Sequence, residues 1–407
     1  SAVSLEVPHA TPQAEVASLD AAIRRAASSP APPARRVDLV ARVERGQRDV
    51  WVLVGDPCAP SEEPSHLWGS AAIAVRAAAR ASDAADGEIR PFVSAAGMGF
   101  LARATPRADE SPERTALRAA DLAARAFFSE APSAEHLLEA QETARREVER
   151  VWGRGAPGLA AHAPRAIDPP TLFAPFGPPD DTAKRSAFEL SRRLRALARG
   201  PIRVVVLAHH DAAQTRAAAE EVGRWVGATP ARACAKPGAP QPGAESDVRI
   251  GLRGPSRAHL SWRASDPAMT AYASHLLGRD EGLLQHALAP VAGASATART
   301  TGPAAARLLV VDIAAPPEGI DEAVRLSSAL VARVSRGEVP DGELVAAGRS
   351  FARAEREALG DPAERAARLF EGASAAPRPA PAPPAFRAFA ARALAADRAA
   401  VTVVRPE

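Results

Sequence analysis

The chain is short of aromatic side chains and of sulfur. Only 4% of its 407 residues are Phe, Trp or Tyr, with a single tyrosine, two methionines and two cysteines. Few aromatics mean that any core must be built mainly from Leu, Val and Ala. Two cysteines, Cys58 and Cys234, are too few for a disulfide framework and lack zinc-ribbon spacing. The sequence leaves open whether they form one bridge or two free thiols. No apolar run reaches the roughly 18–20 residues that a membrane-crossing helix needs. There is no G-x-S-x-G and no Gly-rich phosphate loop, so serine-nucleophile and nucleotide-binding readings lack their motifs. Charge of neither sign dominates: 51 basic residues face 48 acidic ones, a net charge of +3. No dense basic stripe interleaved with aromatics suggests nucleic-acid binding.

Proline is abundant, with 38 residues, many of them clustered. "ARACAKPGAPQPGAESD" (residues 231–247) has no apolar periodicity and reads as a linker between two structured parts. "SAAPRPAPAPPA" (374–385) reads as a long loop, followed by helix-like and strand-like segments. "VWVLVGD" (50–56) and "RVVVLAHHD" (203–211) read as strands, being short, apolar and Val-rich. "ERTALRAADLAARAFF" and "SAEHLLEAQETARREVERVW" read as helices, the second with Ser133 as N-cap behind Pro132.

The two parts match each other. Shifted by 208 residues, "MGFLARATPRADESPERTALRAADLAARAFFSEAPSAEH" lies on "ARLLVVDIAAPPEGIDEAVRLSSALVARVSRGEVPDGEL" without a gap. Alanine bias inflates such matches, but it does not align Glu130 with Glu338, Pro132 with Pro340 or Glu135 with Glu343. The order also repeats: strand, acidic loop, amphipathic helix, E-x-P-x-x-E, helix. Two copies of one α+β unit are expected, spanning 1–230 and 248–407. Strands and helix pairs occur without regular βαβ alternation, so each unit is expected to be a mostly antiparallel sheet covered by helices.

Tandem α+β units of this size resemble one half of an insulinase/pitrilysin/mitochondrial processing peptidase, a family of zinc peptidases. "IRVVVLAHHDAAQTRAAAEEVGRWVG" is similar to that family's closing strand and helix of the first domain. "VPDGELVAAGRSFARAEREALGDPAERAARLFEG" is similar to its late helix pair. Active members carry H-x-x-E-H early in the first domain, after a strand and opening a helix. Two His one turn apart hold the metal, the Glu between them activates water, and a distant Glu completes the ligands. Here that place holds "SHLWGS". His66 matches the first His, Gly69 stands where the base should be, Ser70 stands at the second His, and Glu147 is the counterpart of the distant Glu. A glycine cannot move a proton. In the second domain, the Arg and Tyr that hold substrate in active members fall near Leu288 or Ala289 and near Ser295 or Ala296, so both are lost.

Other candidates are weaker. "HLLEA" (136–140) has His136 and Glu139 but ends in Ala, and motif fragments are common in Glu-rich helices. His209, His210 and Asp211 sit at a strand end, with Glu220 and Glu221 a helix later, but adjacent His residues on an extended chain point to opposite sides. Gly278 and Gly282 in "LGRDEG" resemble, in position only, the substrate-handling glycine loop of the non-catalytic processing-peptidase subunit. The plain alternative is a helix-to-helix turn.

The resemblance implies a non-catalytic subunit of a heterodimeric zinc peptidase. It would hold no cofactor itself, the zinc lying in a partner chain with intact H-x-x-E-H. Its role would be to complete the chamber and help bind unfolded peptide. The alternative is a stand-alone binding or scaffold protein that keeps the fold without proteolysis. An active peptidase with an unusual site ranks last because nothing near Gly69 replaces the base. The start at Ser1 fits removal of a leader, and a periplasmic or secreted location is preferred to a cytoplasmic one.

Overall fold

The computed structural model describes residues 37–43, 48–82, 87–128, 132–152, 156–178, 185–208, 212–226, 234–238, 245–250, 254–279 and 282–406. Strands β1 (Val37–Val43), β2 (Val50–Asp56), β3 (Glu88–Ser94), β4 (Gly97–Ala104) and β5 (Ile202–Ala208) form one sheet, ordered β1-β5-β2-β4-β3. Strands β6 (Glu245–Ile250), β7 (Ser256–Ala264), β8 (Ser295–Thr301), β9 (Arg307–Ala315) and β10 (Ala400–Pro406) form a second, ordered β6-β10-β7-β9-β8. The orders are the same element for element. In each sheet the first pair is parallel and the other three are antiparallel. The architecture is α+β, with each mixed sheet covered by helices.

Helices α1 (Ser70–Ala81), α2 (Pro112–Phe128), α3 (Ala134–Trp152), α4 (Ala156–Ala166), α5 (Ala187–Leu197) and α6 (Ala212–Trp225) belong to the first unit. Helices α7 (Pro267–Gly278), α8 (Leu283–Leu288), α9 (Ile320–Ser335), α10 (Asp341–Ala358), α11 (Pro362–Phe370) and α12 (Pro383–Ala393) belong to the second. Helices α2 and α9 start at residues 112 and 320, which is the 208-residue shift read from the sequence. Ser133 caps α3 as expected, its hydroxyl accepting from His136 N–H at 3.3 Å. On α2, Ala116, Ala119, Ala120, Ala123 and Phe127 form a buried stripe at helical spacing. Small side chains along that stripe let the helix lie close on its sheet, which is how a core with few aromatics closes.

Strand β2 is buried along its whole length, and the reason is non-local. Val50, Val52 and Val54 face the helices of their own unit, while Trp51 and Leu53 face α11 of the other unit. The exchange is reciprocal: α11 lies on β2 and β5, and α4 of the first unit lies on β10, β6 and β7. On the first sheet, Phe370 is fully buried against Phe92, ring centroids 4.9 Å apart. A Cβ on Gly97 would come within 2.3 Å of the Phe370 ring, so that contact requires glycine.

The residue 208 positions before Phe370 is His162, and it occupies the matching place on α4. Its Nε2 lies 2.9 Å from the Ser261 hydroxyl and its Nδ1 3.0 Å from the Thr402 hydroxyl. Beside it, His259 pairs with Asp312 at 2.7 Å, and Asp312 takes a second bond from Arg299 at 2.7 Å. Across the same boundary, Arg203 donates to the Phe370 carbonyl at 2.6 Å and the Thr301 hydroxyl to the Phe173 carbonyl at 3.0 Å. Cys58 and Cys234 form a disulfide, which settles the question the sequence left open. Gly238, on the segment that carries Cys234, bonds Asp168 at 2.7 Å and Arg263 at 2.6 Å, so it touches both units. Strand β6 begins at Glu245, inside the stretch read as a linker.

Two outcomes are expected from these links. Burial lowers the pKa of His162 well below the ordinary histidine value, with His259, Arg299 and Arg165 adding to the effect and Asp312 opposing it. The unfolded chain therefore takes up a proton near pH 6.5 that the native state refuses, so stability is full above about pH 6.5 and falls as pH drops through it. Denaturant unfolding at several pH values should show this slope, and His162→Gln should lessen it, the remainder coming from His259, whose pKa burial also lowers. Replacing Cys58 by Ser should cost about 2–4 kcal/mol, read as a lower urea midpoint that reduction of the wild type reproduces.

Candidate functional site

Between β2 and α1 the chain makes a short turn, a one-turn helix over Ser65–Leu67, and then enters α1 through Gly69. Gly69 is the N-cap of α1 with φ 88°, in the left-handed region. His66 is exposed, and its carbonyl, not its ring, takes part in the local structure by accepting from Arg185. Ser70 is 1% exposed and its hydroxyl has no hydrogen-bond partner among the described residues.

The position that matters most here was not singled out from the sequence: Glu63. Its side chain is buried, and its carboxylate accepts from Gly69 N–H at 3.0 Å and Ala71 N–H at 2.7 Å. Thr171 donates a third bond at 3.2 Å, and the Arg193 guanidinium lies 3.6 Å away. Two otherwise orphaned amides of the first turn of α1 are thus satisfied, and the negative charge lies at the positive end of the helix dipole. Burial raises the pKa of Glu63, while Arg193, the two amides and Thr171 oppose that rise. The signal available in the sequence was a carboxylate just ahead of a helix, which is weak because the helix start at Gly69 is not evident without the structure.

Residues 169–178 fold over this turn. Trp68 Nε1 donates to the Ala174 carbonyl at 2.6 Å, and Gly177, at φ 64°, packs its Cα against the Trp68 backbone. Gly69 and Ser70 are therefore sealed from solvent, whereas a catalytic metal needs an open coordination position.

Helix α3 packs along α1, so Glu147 does come to the neighbouring helix. Its carboxylate is ion-paired there with Arg76, whose guanidinium also lies 4.2 Å from the centre of the Phe176 ring. The sequence signal for Arg76 was one charge inside the buried run "AAIAVRAAA". Glu147 further lines a cleft of about 200 Å³ between the units, with Phe173, Phe176, Arg299 and Thr301. Among the described residues, no group of three or more His, Cys, Asp or Glu side chains is placed to hold a metal. The residues at the motif positions, His66, Gly69, Ser70 and Glu147, do not fit a zinc ion: one imidazole is in solvent, the carboxylate is neutralised by arginine, and neither Gly69 nor Ser70 supplies a nitrogen or carboxylate ligand.

The other candidates fall as follows. His136 is a half-buried residue in the first turn of α3, its Nδ1 3.0 Å from the Ser133 hydroxyl. His209, His210 and Asp211 lie outside the described residues. Gly278 ends α7 and Gly282 caps α8. A Cβ on Gly278 would meet the Ala298 backbone at 2.5 Å, and one on Gly282 the Arg279 carbonyl at 2.6 Å, so close packing accounts for glycine at both. The only tyrosine, Tyr272, is buried between Phe351 and Phe386, and its hydroxyl donates to the Leu344 carbonyl at 2.6 Å. Desolvation pushes its pKa up to about 12. It ties α7 to α10 and is not available to substrate.

No family model and no curated protein matches the chain. Solved structures do match. A peptidase M16 inactive domain from Pseudomonas fluorescens aligns with a TM-score of 0.72 at 14% identity, over 91% of this chain and 96% of that one. The chain has the M16 peptidase fold. A protease from Helicobacter pylori aligns with a TM-score of 0.65 at 12% identity, over 90% of this chain and 97% of that one. The periplasmic protease PqqL from Escherichia coli aligns with a TM-score of 0.61 at 13% identity, over 90% of this chain but 44% of that one. In this chain "SHLWGS" follows β2 and leads into α1. No helix among the described residues is long and apolar enough to cross a membrane.

Restoring the two missing motif residues should not restore a metal site. Gly69→Glu with Ser70→His puts a side chain on a left-handed backbone, costing about 1–2 kcal/mol for that alone, and leaves Glu147 on Arg76. The double variant is expected to melt lower than wild type and to bind less than stoichiometric zinc, measured by thermal denaturation and metal analysis after dialysis.

Proposed function

We propose that this chain is a non-catalytic half of a two-chain peptidase with the M16 fold. Its partner carries an intact H-x-x-E-H and the zinc, and this half completes the chamber wall and contacts the unfolded peptide. The observation that carries the reading is the turn at Gly69. A general base is missing, the helix amides are bound by Glu63, and the opening is closed by residues 169–178. That turn fits a scaffold that has given up metal chemistry and kept its shape. The neighbour from Pseudomonas fluorescens, described as an inactive domain, is consistent with it. The disulfide supports an oxidising compartment, periplasmic or secreted, in keeping with the periplasmic location of PqqL.

The test is zinc analysis and peptide hydrolysis on the purified chain, alone and mixed with M16-fold chains of the same organism that carry H-x-x-E-H. The expected result is no stoichiometric zinc and no cleavage alone, with cleavage appearing or rising at least several-fold in one mixture. One-to-one zinc with hydrolysis abolished by His66→Ala overturns the proposal. Absence of any partner or gain of activity favours the stand-alone binding protein instead.

A further inference from the structure

Helix α5 is amphipathic in an uncommon way. Leu190, Ser191, Leu194 and Leu197 are buried, as the covering of the sheet requires. The opposite face carries Phe188, Arg192 and Arg195, and the turn that follows continues it with Arg199. These four are spaced by four, three and four residues, so they lie along one stripe. Phe188 is 69% exposed, and it is among the few large apolar side chains that the fold leaves in solvent. Arg192, Arg195 and Arg199 are exposed and have no carboxylate within ion-pair distance among the described residues. Several exposed arginines elsewhere are paired: Arg145 with Glu142 and Glu149, Arg325 with Glu322, Arg336 with Glu338.

This stripe forms one wall of an open groove of about 810 Å³. The other wall is the loop from β2 into α1, including Ala59, Glu62 and Pro64. Helix α5 is held rigidly against that loop: its N-terminus is closed by a capping box between Ser186 and Glu189, and Arg193 donates to the Ala59 carbonyl at 3.3 Å. The repeat supplies a comparison. The matching groove of the second unit, about 650 Å³, is also lined by arginines, Arg263, Arg392 and Arg398. There, however, Arg263 donates to the Gly238 carbonyl at 2.6 Å and Arg398 to the Arg392 carbonyl at 2.6 Å. Arg263 and Arg398 there serve the fold, as Arg193 does in the first groove, whereas Arg192, Arg195 and Arg199 make no such bond among the described residues.

We propose that the groove between α5 and the loop leading into α1 is a docking site for an acidic peptide segment that also carries apolar side chains. Three guanidinium groups over about 10 Å of helix match carboxylates spaced along a peptide, each able to take a two-pronged bond. Phe188, Ala59 and Pro64 supply apolar surface for the residues between. A nucleic-acid backbone is the poorer fit, because Asp56 and Glu62 on the facing wall repel an unbroken line of phosphates, whereas a peptide can turn its apolar side chains toward that wall. The proposal goes beyond the non-catalytic role: it concerns this chain alone, and holds or fails whether or not a catalytic partner exists.

The test is fluorescence anisotropy with the full chain and a labelled peptide of alternating Glu and Leu. A Gln–Leu peptide of the same length and an oligodeoxythymidine of equal charge serve as comparisons. The acidic peptide should bind, weaken as salt rises, and lose about tenfold in affinity in the triple variant R192Q/R195Q/R199Q, in line with three exposed charge pairs. Phe188→Ala should weaken it further, and Arg392→Gln in the second groove should leave it unchanged. All these positions are exposed, and circular dichroism checks that the variants fold. Absence of acidic-peptide binding, equal binding by the triple variant, equal binding of the Gln–Leu peptide, or tighter binding of the oligonucleotide overturns the proposal.

Discussion

The structure depends on each unit covering the back of the other's sheet. A sheet with helices on one face only would leave its second face apolar and wet. Here α11 covers Trp51 and Leu53, and α4 covers β6, β7 and β10. The centre of each contact is chemically different although the positions correspond. On the first sheet an aromatic ring, Phe370, packs against glycine. On the second a histidine, His162, sits between two hydroxyls in a fully buried polar cluster. The aromatic contact tolerates any pH, whereas the polar one requires a neutral imidazole. The two units are therefore joined by one contact that is indifferent to pH and one that is not.

That rigidity sets what the degenerate motif can do. In a zinc peptidase the first turn of the α1 helix must combine imidazoles, a base and an opening to solvent. Here the same turn is committed to stability. Glu63 binds its amides, Trp68 reaches across to Ala174, and Thr171 closes the set. Arg76 holds Glu147, the carboxylate on α3 that the family resemblance matched to a ligand. The residues of this turn are bound into helix capping and packing.

Much of this was legible in the sequence. The repeat placed α2 against α9 and β4 against β9, because helical periodicity and the Pro and Glu positions are local signals that survive composition bias. That Gly69 and Ser70 can supply neither a base nor an imidazole was also plain, since it follows from their chemistry whatever their setting. Helices α4 and α5 were not read. Helix α4 contains Pro164 and is held by a sheet far away in sequence, so local propensity says little about it. Helix α5 did carry a readable S-x-x-E cap at Ser186. Glu63 was passed over because what marks it, two amides and a hydroxyl converging on it, comes from segments that meet only in the fold.

The Cys58–Cys234 bridge closes a loop of chain with a sequence separation of 176 residues, and most of the first unit lies inside it. That part of the molecule is a covalent ring. A single cut by a peptidase anywhere between the two cysteines opens the ring but releases nothing, since both ends stay tied through sulfur. The first unit is thereby held to the rest of the chain after any single nick, for as long as the bridge stays oxidised.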